Sequence, residues 1–325
     1  MKDIGIAGLP YSGKTTLFQA LTLSGSAGGR SNQAVVDVAD ARLEKLARIE
    51  RSRKIVPAKV RFVDVPGGLT ARGIAEYRQT DALCIVVRAF GVDADPTREL
   101  ASVQDELLLA DLASLESGRD RAAKRARGAP EAKAELEVLE RAHAVVDSGR
   151  ALRDAALEDD ALKLLRGYGA LTLKPQVVVA NVEEGAGPPV GLEDGIAISA
   201  ALEAEVAGME PAEALELLQG FGVAERGLDR VITSGYRALD LVTFLTTGED
   251  ETRAWEVRRG ATAPEAAGQI HSDLERGFIR AEVVSYDDLV AAGSLAKAKE
   301  KGVLRVEGKD YEVKEGDVIN VRFAI

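Results

Sequence analysis

The chain has one cysteine, two histidines and one tryptophan among 325 residues, and aromatic residues make up only 4% of it. A single thiol, Cys84, excludes an intramolecular disulfide. Its place in the apolar run from Ala82 to Val87 reads as a buried strand residue in a reducing compartment. The two histidines, His143 and His271, stand far apart, and no Cys/His cluster has metal-ligand spacing, which argues against a zinc enzyme. Nothing approaches the roughly 20 apolar residues that cross a bilayer. The N-terminus enters a strand-like segment without a basic-then-apolar leader, so a cytoplasmic location is expected. Basic residues are the minority, 42 against 53 acidic for a net charge of −11. That balance argues against a general nucleic-acid coat, because affinity for phosphate backbones comes from cationic surface, but it leaves room for a local basic patch.

A chain of this length holds two or three domains. Lys2–Ala7, Lys59–Asp64, Ala82–Val87, Gln176–Ala180 and Ile196–Ser199 read as strands. Several are almost wholly apolar, as expected of parallel strands covered on both faces, and helices between them indicate an open α/β sheet. Between Pro96 and about Gly167, Ala, Leu, Glu and Arg dominate. Leu108, Leu112 and Leu115 make one helical stripe, and Leu136, Leu139, His143 and Val146 make another. Gly128-Ala129-Pro130 breaks the pattern, which gives an antiparallel helical hairpin inserted into the α/β domain. Arg119, Arg121, Lys124, Arg125 and Arg127 gather near its tip, either as a solvated charged face or as a surface for an acidic or RNA partner. From about Leu241 the texture changes again. Thr262-Ala263-Pro264-Glu265 fits a capping box, and Leu304–Val306, Asp310–Val313 and Val318–Phe323 read as short strands of a closing α+β module. The expected division is therefore an α/β domain over 1–95 and 170–238, a helical insertion over 96–169, and a C-terminal module over 239–325.

Gly8-Leu9-Pro10-Tyr11-Ser12-Gly13-Lys14-Thr15 fits the phosphate-loop pattern GxxxxGK[ST], between an apolar strand and a helix-compatible run from Thr16 to Leu21. In such a loop successive N–H groups curl round an anion at a helix N-terminus, where the dipole also favours negative charge. Lys14 is expected to reach the β- and γ-phosphates and Thr15 to give its hydroxyl to Mg²⁺. Asp64-Val65-Pro66-Gly67 follows a second apolar strand and fits DxxG. There Asp64 is expected near Mg²⁺ and the Gly67 N–H near the γ-phosphate, with the following loop released when that phosphate leaves.

Asn181-Val182-Glu183-Glu184 follows a third strand, where GTPases carry NKxD. Glu184 replaces the Asp that accepts from guanine and Val182 replaces the Lys. Since charge-assisted hydrogen bonds contribute roughly 1.5–3 kcal/mol each, a displaced carboxylate erodes guanine preference. Adenine offers an acceptor and an amine donor that the Asn181 amide can complement. Ser199-Ala200 fits the SA element that closes round the base. The residues read as an ATP-binding switch. A nucleotide-gated module that hydrolyses little is the alternative, and a GTPase the third.

The sequence resembles a known family, the YchF-like Obg-related ATPases. GIAGLPYSGKTTLFQAL is similar to its phosphate-loop segment, ELLLADLASLE with EAKAELEVLE to its coiled-coil insertion, and NVEE to its NxxE base-recognition element. The stretch AWEVRRGATAPEAAGQIHSDLERGFIRAEVVSYDDL is similar to its C-terminal TGS domain, a ubiquitin-like fold. The resemblance implies a Ras-like P-loop domain, ATP preference, slow hydrolysis, Mg²⁺ and association with ribosomes or translation factors. It assigns Gly8, Pro10, Tyr11, Ser12, Gly13, Lys14, Thr15 and Thr16 to the phosphates and Asn181, Val182, Glu184, Ser199 and Ala200 to the base. There are departures. Tyr11 stands where the family has an Asn, which holds a monovalent cation in related K⁺-stimulated enzymes. The first switch is shortened to Ser24–Asn32 with no matching Thr, and the second runs from Asp64-Val65-Pro66-Gly67-Gly68-Leu69 quickly into Tyr77. Gly68 occupies the water-orienting position.

Overall fold

Ile4, Ile6 and Ala7 in the first strand and Leu83 to Val87 in a later one have almost no exposed surface, so both lie inside a sheet covered on both faces. The computed structural model describes residues 1–24, 32–129 and 131–324. The chain begins β1 (Lys2–Ala7), α1 (Lys14–Ser24), β2 (Gln33–Asp37), α2 (Ala41–Glu50), β3 (Lys54–Val56), β4 (Lys59–Asp64), α3 (Ala71–Tyr77) and β5 (Ala82–Ala89). It continues with α4 (Pro96–Ala126), α5 (Glu131–Asp147), α6 (Asp159–Gly167), β6 (Gln176–Val182), β7 (Ile196–Ile198), α7 (Ala200–Val206), α8 (Pro211–Gly220) and α9 (Gly227–Ala238). The last part holds β8 (Leu241–Thr246), β9 (Glu251–Arg258), α10 (Ala263–Ile270), α11 (Ser272–Arg276), β10 (Phe278–Ser285), α12 (Tyr286–Ala292), α13 (Leu295–Glu300), β11 (Arg305–Glu307) and β12 (Asp317–Phe323).

Two compact units result, 1–36 with 61–238, and 37–60 with 239–325. In the first, the sheet order is β2-β4-β1-β5-β6-β7, with β1–β5, β5–β6 and β6–β7 parallel. From β1 the chain builds β2 and β4 on one side and then crosses to β5 on the other. A crevice therefore opens at the carboxyl ends of β1 and β5, the topological switch point where α/β sheets bind ligands. Cys84 is fully buried in β5, and burial pushes its thiol up to about 12, which makes it an inert packing residue.

In the helical region, α4 and α5 pack through Leu115, Ala122, Leu139, Ala142 and Val146. The buried stripe of α4 differs from the expected one: it runs Val103, Leu107, Asp111, Leu115, Gly118, Ala122, while Leu108 and Leu112 are only half-buried. On α5 the buried position is Ala142, and the neighbouring His143 is half-exposed. Both offsets trace to small or polar residues occupying core positions. Of the hairpin break, Pro130 lies outside the described residues.

The second unit has sheet order β11-β10-β12-β8-β9-β3. One face carries Val242, Phe244, Val257, Val283 and Ile319 against Ala263, Ala266 and Ala267 of α10. The helix opens as the capping box expects, with Thr262 N donating to Glu265 Oε2 at 2.7 Å. Period-two alternation sends Leu245, Ala254, Val284 and Val318 to the opposite face, where they form one registered row and are equally buried. α2 packs against β3, β9 and α12, burying its own Leu43, Leu46 and Ala47. Asp310–Val313, expected as a strand, contributes a single bridge from Glu312 to Thr262.

Residues 37–60 thus belong to this unit and not to the 1–95 segment that the sequence suggests. Five interactions hold them there. β3 joins the sheet edge beside β9, Ser52 Oγ donates to Gly248 O at 2.6 Å, and Arg53 N donates to Glu249 O at 2.9 Å. Glu50 Oε1 accepts from Leu295 N at 2.8 Å, and Arg42 pairs with Glu315 at 2.7 Å. Leu46→Ala should therefore destabilise the second unit by about 2–5 kcal/mol, as for other buried Leu truncations. Hydrogen exchange after that change is expected to lose protection in β8 and β9; loss confined to β1 and β5 would refute this placement.

Candidate functional site

The loop from Gly8 to Gly13 joins β1 to α1, and its path depends on missing side chains. Gly8 has φ +152°, and a Cβ there would stand 2.2 Å from the carbonyl oxygen of Val86 in β5. Gly13 has φ +96°, and its Cβ would stand 2.1 Å from Asn181 Nδ2. Tyr11 adopts φ +66° without being a glycine and leaves its ring 90% exposed. Ser12 is fully buried, and its Oγ has no hydrogen-bond partner among the described residues. Pro10 is exposed beside them.

A cleft of about 580 Å³ opens over the start of α1. Of the expected site residues it is lined by Tyr11, Gly13, Lys14, Thr15, Thr16, Asn181, Val182, Glu184 and Ser199. Gly8 and Ser12 form its buried floor support. Ala200 lies buried behind it, and Ala201 lines the wall. Four lining residues do not stand out in the sequence: Arg88, Phe90, Glu183 and Ala201. Arg88 and Phe90 sit at the carboxyl end of β5, the strand next to β1, so the switch-point rule applied to neighbouring strands would have found them. Arg88 is held by Glu99 of α4, whose carboxylate accepts from Arg88 N at 2.9 Å. Glu183 is committed elsewhere, accepting from Gly91 N at 3.0 Å.

Asn181 lines the cleft and has two buried partners of its own. Its Oδ1 accepts from Ala200 N at 2.9 Å and its Nδ2 donates to Ser12 O at 3.1 Å, both buried. One N–H remains for anything in the cleft, so the side chain is first a strut between the phosphate loop, β6 and α7. Ser199 caps α7, its Oγ accepting from Leu202 N at 3.3 Å. Neither residue arrives at the cleft as a free base-reading group.

Lys14 Nζ donates to Leu9 O at 2.6 Å. Burial lowers its pKa, while the nearby carboxylates of Asp64 and Glu99 raise it. The half-buried Asp64 is shifted upward by desolvation and drawn back by the charge of Lys14. Gly67 and Gly68 have φ +87° and +55° and form the turn after Asp64. The shortened first switch falls at 25–31, outside the described residues.

A triphosphate with Mg²⁺ fits this arrangement. Two glycines let the loop pass close to Val86 and Asn181 where any Cβ would clash, an 11-residue helix points its N-terminus at the cleft, and a lysine and a threonine line it. Among the described residues no group of three or more His, Cys, Asp or Glu could hold a metal. Mg²⁺ takes only one or two protein oxygens and completes its shell with phosphate and water.

Residues 3–111 match a family described as 50S ribosome-binding GTPase, and residues 241–324 match the YchF GTPase C-terminal family, described as a protein of unknown function. The ribosome-binding ATPase YchF of Haemophilus ducreyi is 41% identical over 358 positions covering 99% of each chain. That of Bacillus subtilis is 38% identical over 361 positions, again covering 99% of each. Both alignments are longer than the 325 residues of this chain, so the relatives carry positions that it lacks. Among solved structures, the Schizosaccharomyces pombe YchF GTPase matches with a TM-score of 0.91 at 27% identity, over 99% of this chain and 97% of that one. A GTP-binding protein from Pyrococcus horikoshii, 22% identical with a TM-score of 0.66, shares the fold.

If Asn181 is a strut, Asn181→Ala should weaken ATP and GTP binding by similar factors. It should also destabilise the fold by about 1–3 kcal/mol through the buried groups left unpaired. Fluorescent-nucleotide titration checks this, and a selective loss of ATP would return Asn181 to base reading.

Proposed function

The chain belongs to the YchF family, and on that premise we propose an ATP-binding switch with slow hydrolysis that associates with the ribosome. The observation that carries the reading is the cradle at Gly8 and Gly13 beneath Lys14 and Thr15. Loop amides and Lys14 would hold the phosphates, and the Thr15 hydroxyl with Asp64 behind it would hold Mg²⁺. The metal would supply positive charge to the β- and γ-phosphate oxygens. The Gly67 N–H would approach the γ-phosphate.

Preference for adenine rests on Val182 and Glu184, which line the cleft where guanine-specific relatives of the fold carry Lys and Asp. The longer Glu side chain carries its carboxylate past the guanine N1–H and amine, and Val182 offers apolar surface to either base. With Asn181 tied to the backbone, these two positions carry the discrimination. Equilibrium affinities for ATP and GTP at fixed Mg²⁺ test this. ATP should bind the tighter, Lys14→Ala should lose both, and a tenfold preference for GTP would end the claim.

One observation favours the second reading, a nucleotide-gated module that hydrolyses little. Gly67 and Gly68 bear no side chain to orient water, and Leu69 turns into the apolar core beside Tyr77 and Leu83. Single-turnover phosphate release with and without ribosomes separates the two: a burst that disappears in Lys14→Ala rejects the second.

The ribosomal contact is assigned to the tip of α4, with the C-terminal unit, taken as a TGS domain, as a further partner surface. Arg121, Lys124, Arg125 and Arg127 are exposed there. Replacing Lys124 and Arg125 together by Glu should weaken ribosome association and change its salt dependence, as loss of phosphate contacts does. Unchanged sedimentation with ribosomes would remove the tip from the interface.

A further inference from the structure

Two adjacent residues at the end of α3 reach in opposite directions. The Tyr77 ring is fully buried under β1, where its hydroxyl donates to Ile6 O at 2.8 Å, two residues before Gly8. Arg78 turns the other way, toward the base of the helical hairpin. Its Nη1 donates to Asp111 Oδ1 at 3.0 Å and to Gly169 O at 2.8 Å, and its Nη2 donates to Ala110 O at 2.8 Å. Asp111 is 1% exposed on α4 and also accepts from Leu171 N at 2.9 Å, Thr172 N at 2.7 Å and Thr172 Oγ1 at 2.9 Å. A buried carboxylate with these four donors, the guanidinium among them, joins α3, α4 and the segment leading into β6.

The other end of α3 is fixed to the turn after Asp64. Gly73 in its first turn lies so close to that turn that a Cβ would stand 1.8 Å from Gly68 O. Thr70, the N-cap, makes no side-chain capping bond. A displacement of Gly67 and Gly68 must therefore move Gly73, and seven residues of helix carry it to Tyr77 and Arg78. An ion pair as buried as this one adds little stability over well-packed apolar residues of the same volume, so stability alone does not account for it.

We propose that Arg78 is a positioning residue that couples the turn at Gly67 and Gly68 to the helical hairpin, so that the phosphate state of the nucleotide sets the hairpin's affinity for its partner. This rests on the ATP-switch reading above. Arg78 touches neither nucleotide nor the hairpin tip; it acts through Asp111 and Ala110 at the base of α4.

The test uses the full chain and purified ribosomes, with affinity measured in a non-hydrolysable ATP analogue and again in ADP. The wild-type ratio of the two affinities is expected to be about tenfold, within the usual range of allosteric coupling. Arg78→Met should bring that ratio to within about twofold of unity while the chain still binds both nucleotides, and Arg78→Lys should restore part of it. The double variant Arg78→Met/Asp111→Asn removes both charges and serves as the folded control if the single change unfolds the unit. A purely structural role predicts equal weakening in both nucleotides with the ratio kept. An unchanged ratio in the variants, or a wild-type ratio of one with nucleotide bound, overturns the proposal. A wild-type chain that binds no ATP instead sinks the switch reading, and this inference with it.

Discussion

The backbone of Gly8 passes so near β5 that the Val86 carbonyl occupies the space a side chain would need, and Gly13 meets Asn181 as closely. Both approaches are open only to glycine, and both glycines have positive φ, where other residues are strained. The first contact seats the loop on the neighbouring strand. The second lets one amide side chain bond Ser12 O and Ala200 N together. The loop curvature, the end of β6 and the start of α7 are therefore set by one connected group of contacts. Tyr11, at φ +66° and exposed, is a non-glycine residue held in a conformation that its neighbours dictate. The anion cradle is a consequence of how β1, β5 and β6 pack, which is why the fold and the site stand or fall together.

Much of this was legible in the chain itself. The glycine spacing of the loop, the apolar runs of β1, β4, β5 and β6 and the hairpin's helical texture each express a local rule that needs no tertiary knowledge. What was hidden required knowing a partner. Asn181 could be matched to a base from chemistry alone, but only the structure shows that Ala200 N and Ser12 O use its amide first. Asp111 interrupts an apolar stripe, which draws attention to Leu108 and Leu112 instead. It is nonetheless a buried residue of α4, held by Arg78 and by groups 60 or more positions away in the chain. A carboxylate in a core position looks like a surface residue until its donors are known.

The segment 37–60 illustrates the same limit on a larger scale. Leu43, Leu46 and Ala47 announce an amphipathic helix, but an apolar stripe does not say which sheet it covers. Position in the chain favoured the N-terminal sheet. Packing chose the C-terminal one, whose Leu245, Ala254, Val284 and Val318 needed a second cover besides α10. That row is buried, and each buried aliphatic side chain stabilises the fold by roughly 1.5–3 kcal/mol. The C-terminal unit is therefore built from two stretches of chain, and a fragment beginning at Leu239 would lack α2 and the edge strand β3.

An overall charge of −11 and a phosphate-rich partner look incompatible only if charge is felt over the whole molecule. At physiological ionic strength fields between exposed charges decay over about 8 Å. With 31 residues, α4 extends roughly 45 Å, several such lengths. The potential at its tip is then set by what stands nearby. Arg125 is paired with Glu135 at 2.8 Å, and the Tyr168 hydroxyl and that guanidinium hold the Glu135 carboxyl below its ordinary range, so this pair is locally neutral. Arg121 donates to the uncharged Ser117, and Lys124 and Arg127 are exposed beside it, as is Asp120. The local sum is positive where the chain as a whole is negative. The acidic remainder would repel a polyanion from other approaches, so this charge distribution is consistent with the proposed contact at the hairpin tip.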